Sequence, residues 1–240
     1  MTIRAIIFDV DGTLADTEEA HRESFNQTFQ EEGLAWFWDV PLYAELLRVT
    51  GGKERMHYYV QKYLSSPPKG YSEDFVRRLH KKKTDLYAQR ISSGLVPLRP
   101  GIEPLIRRAR DLSVTLAIAT TTSPENVSAL LACTLGSDWR SFFAVLGCGD
   151  IVPHKKPASD IYHWVLERLM IPVEHCVAFE DSFNGLRSSL GAGLKTHITT
   201  NAYTKDQNFT GAARITSDLS DLDAAYAWLG EPFSGVHEAL

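Results

Sequence analysis

The chain has 240 residues, 44% of them apolar, and a formal net charge of −5; it can bury the core of one large or two smaller domains, and it offers no basic surface for nucleic acid. Its cysteines, Cys133, Cys148 and Cys176, are widely spaced and lack histidine neighbours at zinc-site spacing, which argues against a disulfide framework or structural zinc and fits a reducing compartment. The opening apolar run is too short for a signal-peptide core and no segment has the length to span a bilayer, so a soluble cytoplasmic protein, monomeric by default, is expected.

Residues 3–8 form a short isoleucine-rich run, the pattern of a strand buried on both faces. It delivers Asp9-Val10-Asp11-Gly12-Thr13. Residues two apart at a strand end project to the same side, so Asp9 and Asp11 can meet one ligand together. Two like charges so close repel, and a hard divalent cation with oxygen ligands, Mg2+ first among them, would stabilise them. One carboxylate could then attack phosphorus while the other handles the proton on the arriving or leaving oxygen. The plain alternative is a solvated turn after a buried strand.

From Asp16 to about Arg90 the chain reads as helices. Phe25 and Phe29 lie four apart on one helical face, and Trp36-Phe37-Trp38 reads as packing. Thr50-Gly51-Gly52-Lys53-Glu54-Arg55 is a glycine turn opening a helix, an end that favours anions. Tyr58, Tyr59 and Tyr63 are expected in the core. A break over residues 65–70 precedes a long helix over 73–90 that carries the basic run His80-Lys81-Lys82-Lys83, in which Lys81 and Lys82 read as a solvated face.

Beyond Ser92-Ser93-Gly94, Pro97 and Pro100, strand and helix alternate. Strands are expected over 114–119, 142–146, 176–179 and, as the last, 195–198; helices over 125–135, 160–169 and 184–190. This alternation predicts an α/β fold, a Rossmann-like parallel sheet with helices on both faces. An all-helical insertion interrupts it directly after the first strand, giving a discontinuous core over 1–16 and 97–240 and a helical cap over 17–96. Ligands of open α/β sheets bind outside the carboxyl ends of the strands, so the cap sits over the site as a lid. The tail after Pro232 is expected to be loosely ordered.

The later strand ends carry chemistry too. Thr120-Thr121-Thr122-Ser123 offers hydroxyls and N–H groups for phosphate oxygens, or else caps the helix at Pro124. His154-Lys155-Lys156-Pro157 brings an ammonium that can offset a nucleophile and a phosphate. Phe179-Glu180-Asp181 supplies the acidic remainder of a Mg2+ site, or ordinary helix capping.

Asp9-Val10-Asp11-Gly12-Thr13, Thr120, Lys156-Pro157 and Glu180-Asp181 resemble the four ordered motifs of the haloacid-dehalogenase-like phosphotransferase superfamily. The helical insertion resembles the C1-type cap of the subgroup that includes beta-phosphoglucomutase. Together with Trp36-Phe37-Trp38-Asp39, Gly51-Gly52-Lys53-Glu54-Arg55 and Lys155-Lys156-Pro157, the chain resembles CbbY-type proteins of autotrophic bacteria and plastids, which dephosphorylate xylulose 1,5-bisphosphate, an inhibitory misfire product of Rubisco.

The resemblance implies a HAD-type phosphoric monoester hydrolase of carbohydrate metabolism. Asp9 would be the nucleophile, and Asp11 the acid and then the base. Mg2+ would be held by Asp9, the backbone carbonyl of Asp11 and Asp181, with Glu180 close by, while Thr120, Thr121 and Lys156 would hold phosphoryl oxygens. Glu18 and His21 resemble positions that approach the site as the cap closes; their plain alternative is an exposed helix face. A bisphosphate needs a second anion site, for which Lys53, Arg55 and Lys83 are the candidates. A sugar phosphomutase, a catalytically silent sugar-phosphate sensor and, more remotely, a dehalogenase are the competing readings.

Overall fold

The computed structural model describes residues 2–94 and 96–235. Six strands, β1 (Ala5–Phe8), β2 (Thr115–Ala119), β3 (Val145–Gly147), β4 (Cys176–Glu180), β5 (Lys195–Thr199) and β6 (Arg214–Thr216), form one sheet in the order β3-β2-β1-β4-β5-β6. Every neighbouring pair is parallel. The chain winds outward in opposite directions from β1, so a crevice opens at the carboxyl ends of β1 and β4, the ligand site of doubly wound sheets.

Alternation along the strands divides the core. Ile6, Phe8, Leu116, Ile118, Val177 and Phe179 face α5 (Ile102–Asp111), α6 (Pro124–Leu135) and α9 (Leu222–Leu229). The small side chains Ala5, Ala117, Ala119 and Ala178 face the other way, where Ile161, Tyr162 and Val165 of α7 (Asp160–Leu169) pack closely against them. Next in the chain comes α8 (Phe183–Gly191), which leads into β5.

Between β1 and α5 lie α1 (Glu18–Glu31), α2 (Val40–Leu46), α3 (Gly52–Tyr63) and α4 (Glu73–Ser92), with no strand among the described residues. They share an aromatic core of their own. Fully buried Trp38 lies 4.6 Å from the Phe25 ring and 4.9 Å from that of Phe29. Trp36 points in with it, while Phe37 between them is 66% exposed. Tyr59 is buried, but Tyr63 is on the surface, a departure from the expected core position. The two connections to this helical unit run side by side through an Ala15–Leu98 antiparallel bridge. Buried Arg99 clamps them, donating to the carbonyl oxygens of Gly12, Thr199, Thr200 and Ser217.

Two expectations about the sheet are corrected. The strand expected over 142–146 is present but starts only at Val145 and runs to Gly147, after a 3-10 turn, Trp139–Phe142. Strand β5 is not the last: β6 and α9 follow. Edge strand β6 has three residues and leaves Ile215 53% exposed, so no apolar run betrays it. Helix α5 occupies a stretch left unassigned, burying Ile102, Leu105, Ile106 and Ala109 at helical spacing. Among the described residues no helix is long and apolar enough to cross a membrane. Past a short 3-10 turn, Phe233–Gly235, the expected loose tail lies outside the described residues.

Candidate active site

The site grows out of the end of β1. The Asp9 N–H donates to the Phe179 carbonyl at 3.0 Å, carrying the β1–β4 ladder one residue past the strand. Gly12 then turns the chain at φ +80°, where a Cβ would lie 2.2 Å from Asp181 Oδ2 and 2.6 Å from Asn201 Nδ2. Both the left-handed backbone and the close approach require glycine. Gly12→Ala is therefore expected to displace Asp181, to cost about 1–3 kcal/mol of stability and to lower turnover; thermal unfolding and a rate assay check this, and unchanged turnover would contradict the placement.

Lys156 is the buried hub. Its ammonium lies 2.6 Å from Asp9 Oδ1 and 2.6 Å from Glu180 Oε1, and donates to the Ala119 carbonyl at 2.8 Å. Tyr162 also donates to Glu180 Oε1, at 2.5 Å. The ammonium holds Asp9 by Oδ1 alone, which turns the other carboxylate oxygen, Oδ2, to the remaining chemistry. Burial pushes the Asp9 carboxyl up to about 8, against the pull of Lys156 and with a further push from Glu180 and Asp11. Burial, Asp9 and Glu180 likewise raise Asp181 well above the carboxylate range.

Asp11 looks toward the helical unit. Thr17 donates to its Oδ1 at 2.6 Å and His21 Nε2 at 3.0 Å, while the Thr122 hydroxyl donates to Oδ2. Burial works against its charge, yet these contacts and the charge of Lys83 leave the carboxyl below its ordinary range. Lys83 Nζ lies 2.5 Å from His21 Nδ1. Its donated hydrogen bond fixes the tautomer in which Nε2–H serves Asp11. Burial holds His21 down at about 4 and Lys83 down at about 7.

Farther along the same cavity, Arg55 Nη1 donates to the Tyr43 hydroxyl at 3.0 Å and Tyr43 donates to Glu18 Oε2 at 3.0 Å. Burial raises Glu18 to about 7, with Arg55 opposing. The cavity is thus lined by Asp9, Asp11, Thr120, Thr121 and Lys156 together with Glu18, Arg55 and Lys83 of the helical unit. Lys53 is the exception. Its ammonium pairs with Asp150 on the rim and it does not line the cavity, so its expected contact with a distal phosphate is set aside. Lys81 and Lys82 point outward to Asp85 and to Glu31 and Glu32.

Several lining or supporting groups escaped the sequence reading: Thr17, Tyr43, His80, Asn201 and Tyr203; Thr122, a candidate phosphate ligand by sequence, instead donates to Asp11. Only His80 had a usable signal, because it lies three before Lys83 and seven before Tyr87 on one helical face. Ser123, not Thr120, takes the capping role, accepting from the Asn126 N–H at 3.4 Å.

Asp9, Glu180 and Asp181 each present a carboxylate oxygen within 4.8 Å of the others. Glu180 Oε2 is buried without a hydrogen-bond partner. Three clustered buried carboxylates, two of them paired with one ammonium, repel one another when charged, and an all-oxygen donor set of this kind fits Mg2+. The Asp11 side chain is not part of the cluster, which leaves that residue only its backbone carbonyl as a donor.

A family model described as haloacid dehalogenase-like hydrolase matches residues 3–193. The chain belongs to the haloacid dehalogenase-like hydrolases. This hydrolase is 46% identical over 220 residues to protein CbbY of Cupriavidus necator, covering 91% of this chain and 87% of that protein. It is also similar to the crystal structure of CbbY from Rhodobacter sphaeroides in complex with phosphate, with a TM-score of 0.88 and 43% identity, covering 92% of this chain and 96% of that one. A mutant of the same Rhodobacter protein, in complex with xylulose-(1,5)bisphosphate, matches with the same figures: TM-score 0.88, 43% identity, 92% and 96% coverage.

Proposed function

We propose that this haloacid dehalogenase-like hydrolase is a Mg2+-dependent phosphatase of a sugar bisphosphate, xylulose 1,5-bisphosphate first among candidates, acting through an aspartyl phosphate on Asp9. The observation that carries the reading is Lys156, buried and 2.6 Å from both Asp9 and Glu180, in a cavity that Arg55 and Lys83 also line. The Rhodobacter relative crystallised with xylulose-(1,5)bisphosphate supports the substrate.

In this reading residues 17–96 are a cap over a core of residues 1–16 and 97–240. Asp9 Oδ2 attacks phosphorus and the bond to the sugar oxygen breaks, with Asp11 giving that oxygen its proton. A phosphate dianion arriving beside Asp11 raises its pKa and lets it start protonated. Thr120, Thr121 and Lys156 hold the phosphoryl oxygens as charge builds on them. Asp11, now a carboxylate held by Thr17 and His21, takes a proton from the water that attacks the aspartyl phosphate, and phosphate leaves with Asp9 restored. Mg2+, held by Asp9, Asp181 and the Asp11 carbonyl with Glu180 beside them, would neutralise charge on the transferring group.

Arg55 and Lys83 would receive the second phosphate, and Glu18 a sugar hydroxyl. The test is inorganic phosphate release over a panel of sugar mono- and bisphosphates. Removing the guanidinium with Arg55→Ala should lower kcat/KM for the bisphosphate about a hundredfold, the scale of a charged hydrogen-bonded pair, and alter a small phosphate ester far less. Equal losses on both would place the distal phosphate elsewhere.

A further inference from the structure

The turn that opens α3 meets the core through charges exchanged in both directions. From the helical unit, Lys53 pairs with Asp150 of the core, and Glu54 Oε1 lies 2.8 Å from the ammonium of core residue Lys155. Lys155 is also 2.8 Å from Asp150 Oδ1, which joins the two pairs into one chain of four charges. Gly51 makes room for it. At φ +97° it has no side chain where a Cβ would lie 2.1 Å from Glu54 Oε2 and 2.8 Å from Lys155 Nζ. Beside the charges, core residue Asn184 donates through Nδ2 to the Arg48 carbonyl at 3.0 Å and to Thr50 Oγ1 at 2.9 Å.

Thr50, Gly51 and Gly52 line the cavity, so this contact abuts its wall. On the core side the cluster ends one residue short of Lys156. Consecutive lysines therefore divide the work: Lys155, with its side chain 14% exposed, reaches the helical unit, and Lys156 reaches Asp9.

We infer that Asp150 and Lys155 are positioning residues, which through Lys53 and Glu54 make the placement of Lys156 against Asp9 depend on the helical unit being seated. The inference rests on the reading of Lys156 as the lysine that holds the transferring phosphoryl group. Half-exposed ion pairs are weak one by one, about 0.2–1 kcal/mol each, and a chain of them suits a contact that must open for each substrate, as an apolar weld would not. Lys53 thereby has a place in the mechanism without touching phosphate.

The test exchanges charge where neither residue lines the cavity. Lys53→Asp and Asp150→Lys are each expected to lower kcat on a small aryl phosphate about tenfold with a smaller change in KM, and the double exchange, which restores opposite charges at 53 and 150 but sets like charges at 150 and 155, to recover about threefold of that loss. Asp150→Asn, which removes the charge without reversing it, gives a smaller loss of the same kind if a reversal does not fold. Singles with unchanged kcat, or a double no better than the singles, would overturn the inference. Amide hydrogen exchange over residues 48–55 and 150–158 needs no turnover and separates this from an error in the substrate reading. Faster exchange in both segments in the singles, slowed again in the double, supports the coupling; exchange unchanged by the singles overturns it.

Discussion

Asp9→Asn is expected to lower phosphate release by about 10⁴-fold or more, the scale seen when a covalent nucleophile is lost, with the fold intact. The amide matches the carboxylate in shape, and its oxygen can still accept from Lys156, which keeps its second partner Glu180 at 2.6 Å. What is lost is the lone-pair oxygen that attacks phosphorus. Stability should not fall with activity. Burial already drives the Asp9 carboxyl up to about 8, so a neutral side chain relieves an acidic cluster and does not orphan a charge. Measured side by side, kcat collapses while the thermal midpoint holds or rises. Turnover within about tenfold of the unmodified enzyme would remove Asp9 from the nucleophile's role.

Chelation should have the second largest effect. Excess EDTA is expected to cut turnover by about 10³-fold or more, restored by Mg2+ and not by Na+. The reason is the cluster of buried carboxylates at Asp9, Glu180 and Asp181, two of them paired with one ammonium. A folded-state readout accompanies the rate. A ligand that binds only the native protein stabilises it by about 2.7 kcal/mol at a hundredfold excess over Kd, so Mg2+ should raise the thermal midpoint, and Asp181→Asn should shrink that rise. Undiminished turnover in EDTA would take the metal out of the chemistry.

The sheet was legible because its central strands are buried on both faces and therefore run apolar without interruption, as in Ile6-Ile7-Phe8 and Cys176-Val177-Ala178-Phe179. The edge was not. Strand β6 has one face in solvent and three residues, too few to show a period, and β3 begins only after a 3-10 turn that uses the same aromatic residues a strand would.

In the site, groups that follow a strand directly could be read, since strand ends fix where Asp9, Thr120 and Asp181 emerge. Groups brought in by tertiary packing could not. Thr17 reaches Asp11 from one loop, and Asn201 reaches Asp181 from another. Charge alone also misleads at the rim. Lys53 and Lys83 look alike in sequence, but one is tied to Asp150 in solvent and the other is 4% exposed against His21.

The covalent step is open to direct chemical trapping. The Mg2+-loaded enzyme is mixed with xylulose 1,5-bisphosphate, quenched during turnover and treated with borohydride, which reduces an acyl phosphate to the alcohol, and the peptide spanning residues 5–13 is sequenced by mass spectrometry. Homoserine at position 9, absent from Asp9→Asn and from enzyme quenched without substrate, is the predicted result. Reduction at another carboxylate, with position 9 untouched while phosphate is released, would contradict the account.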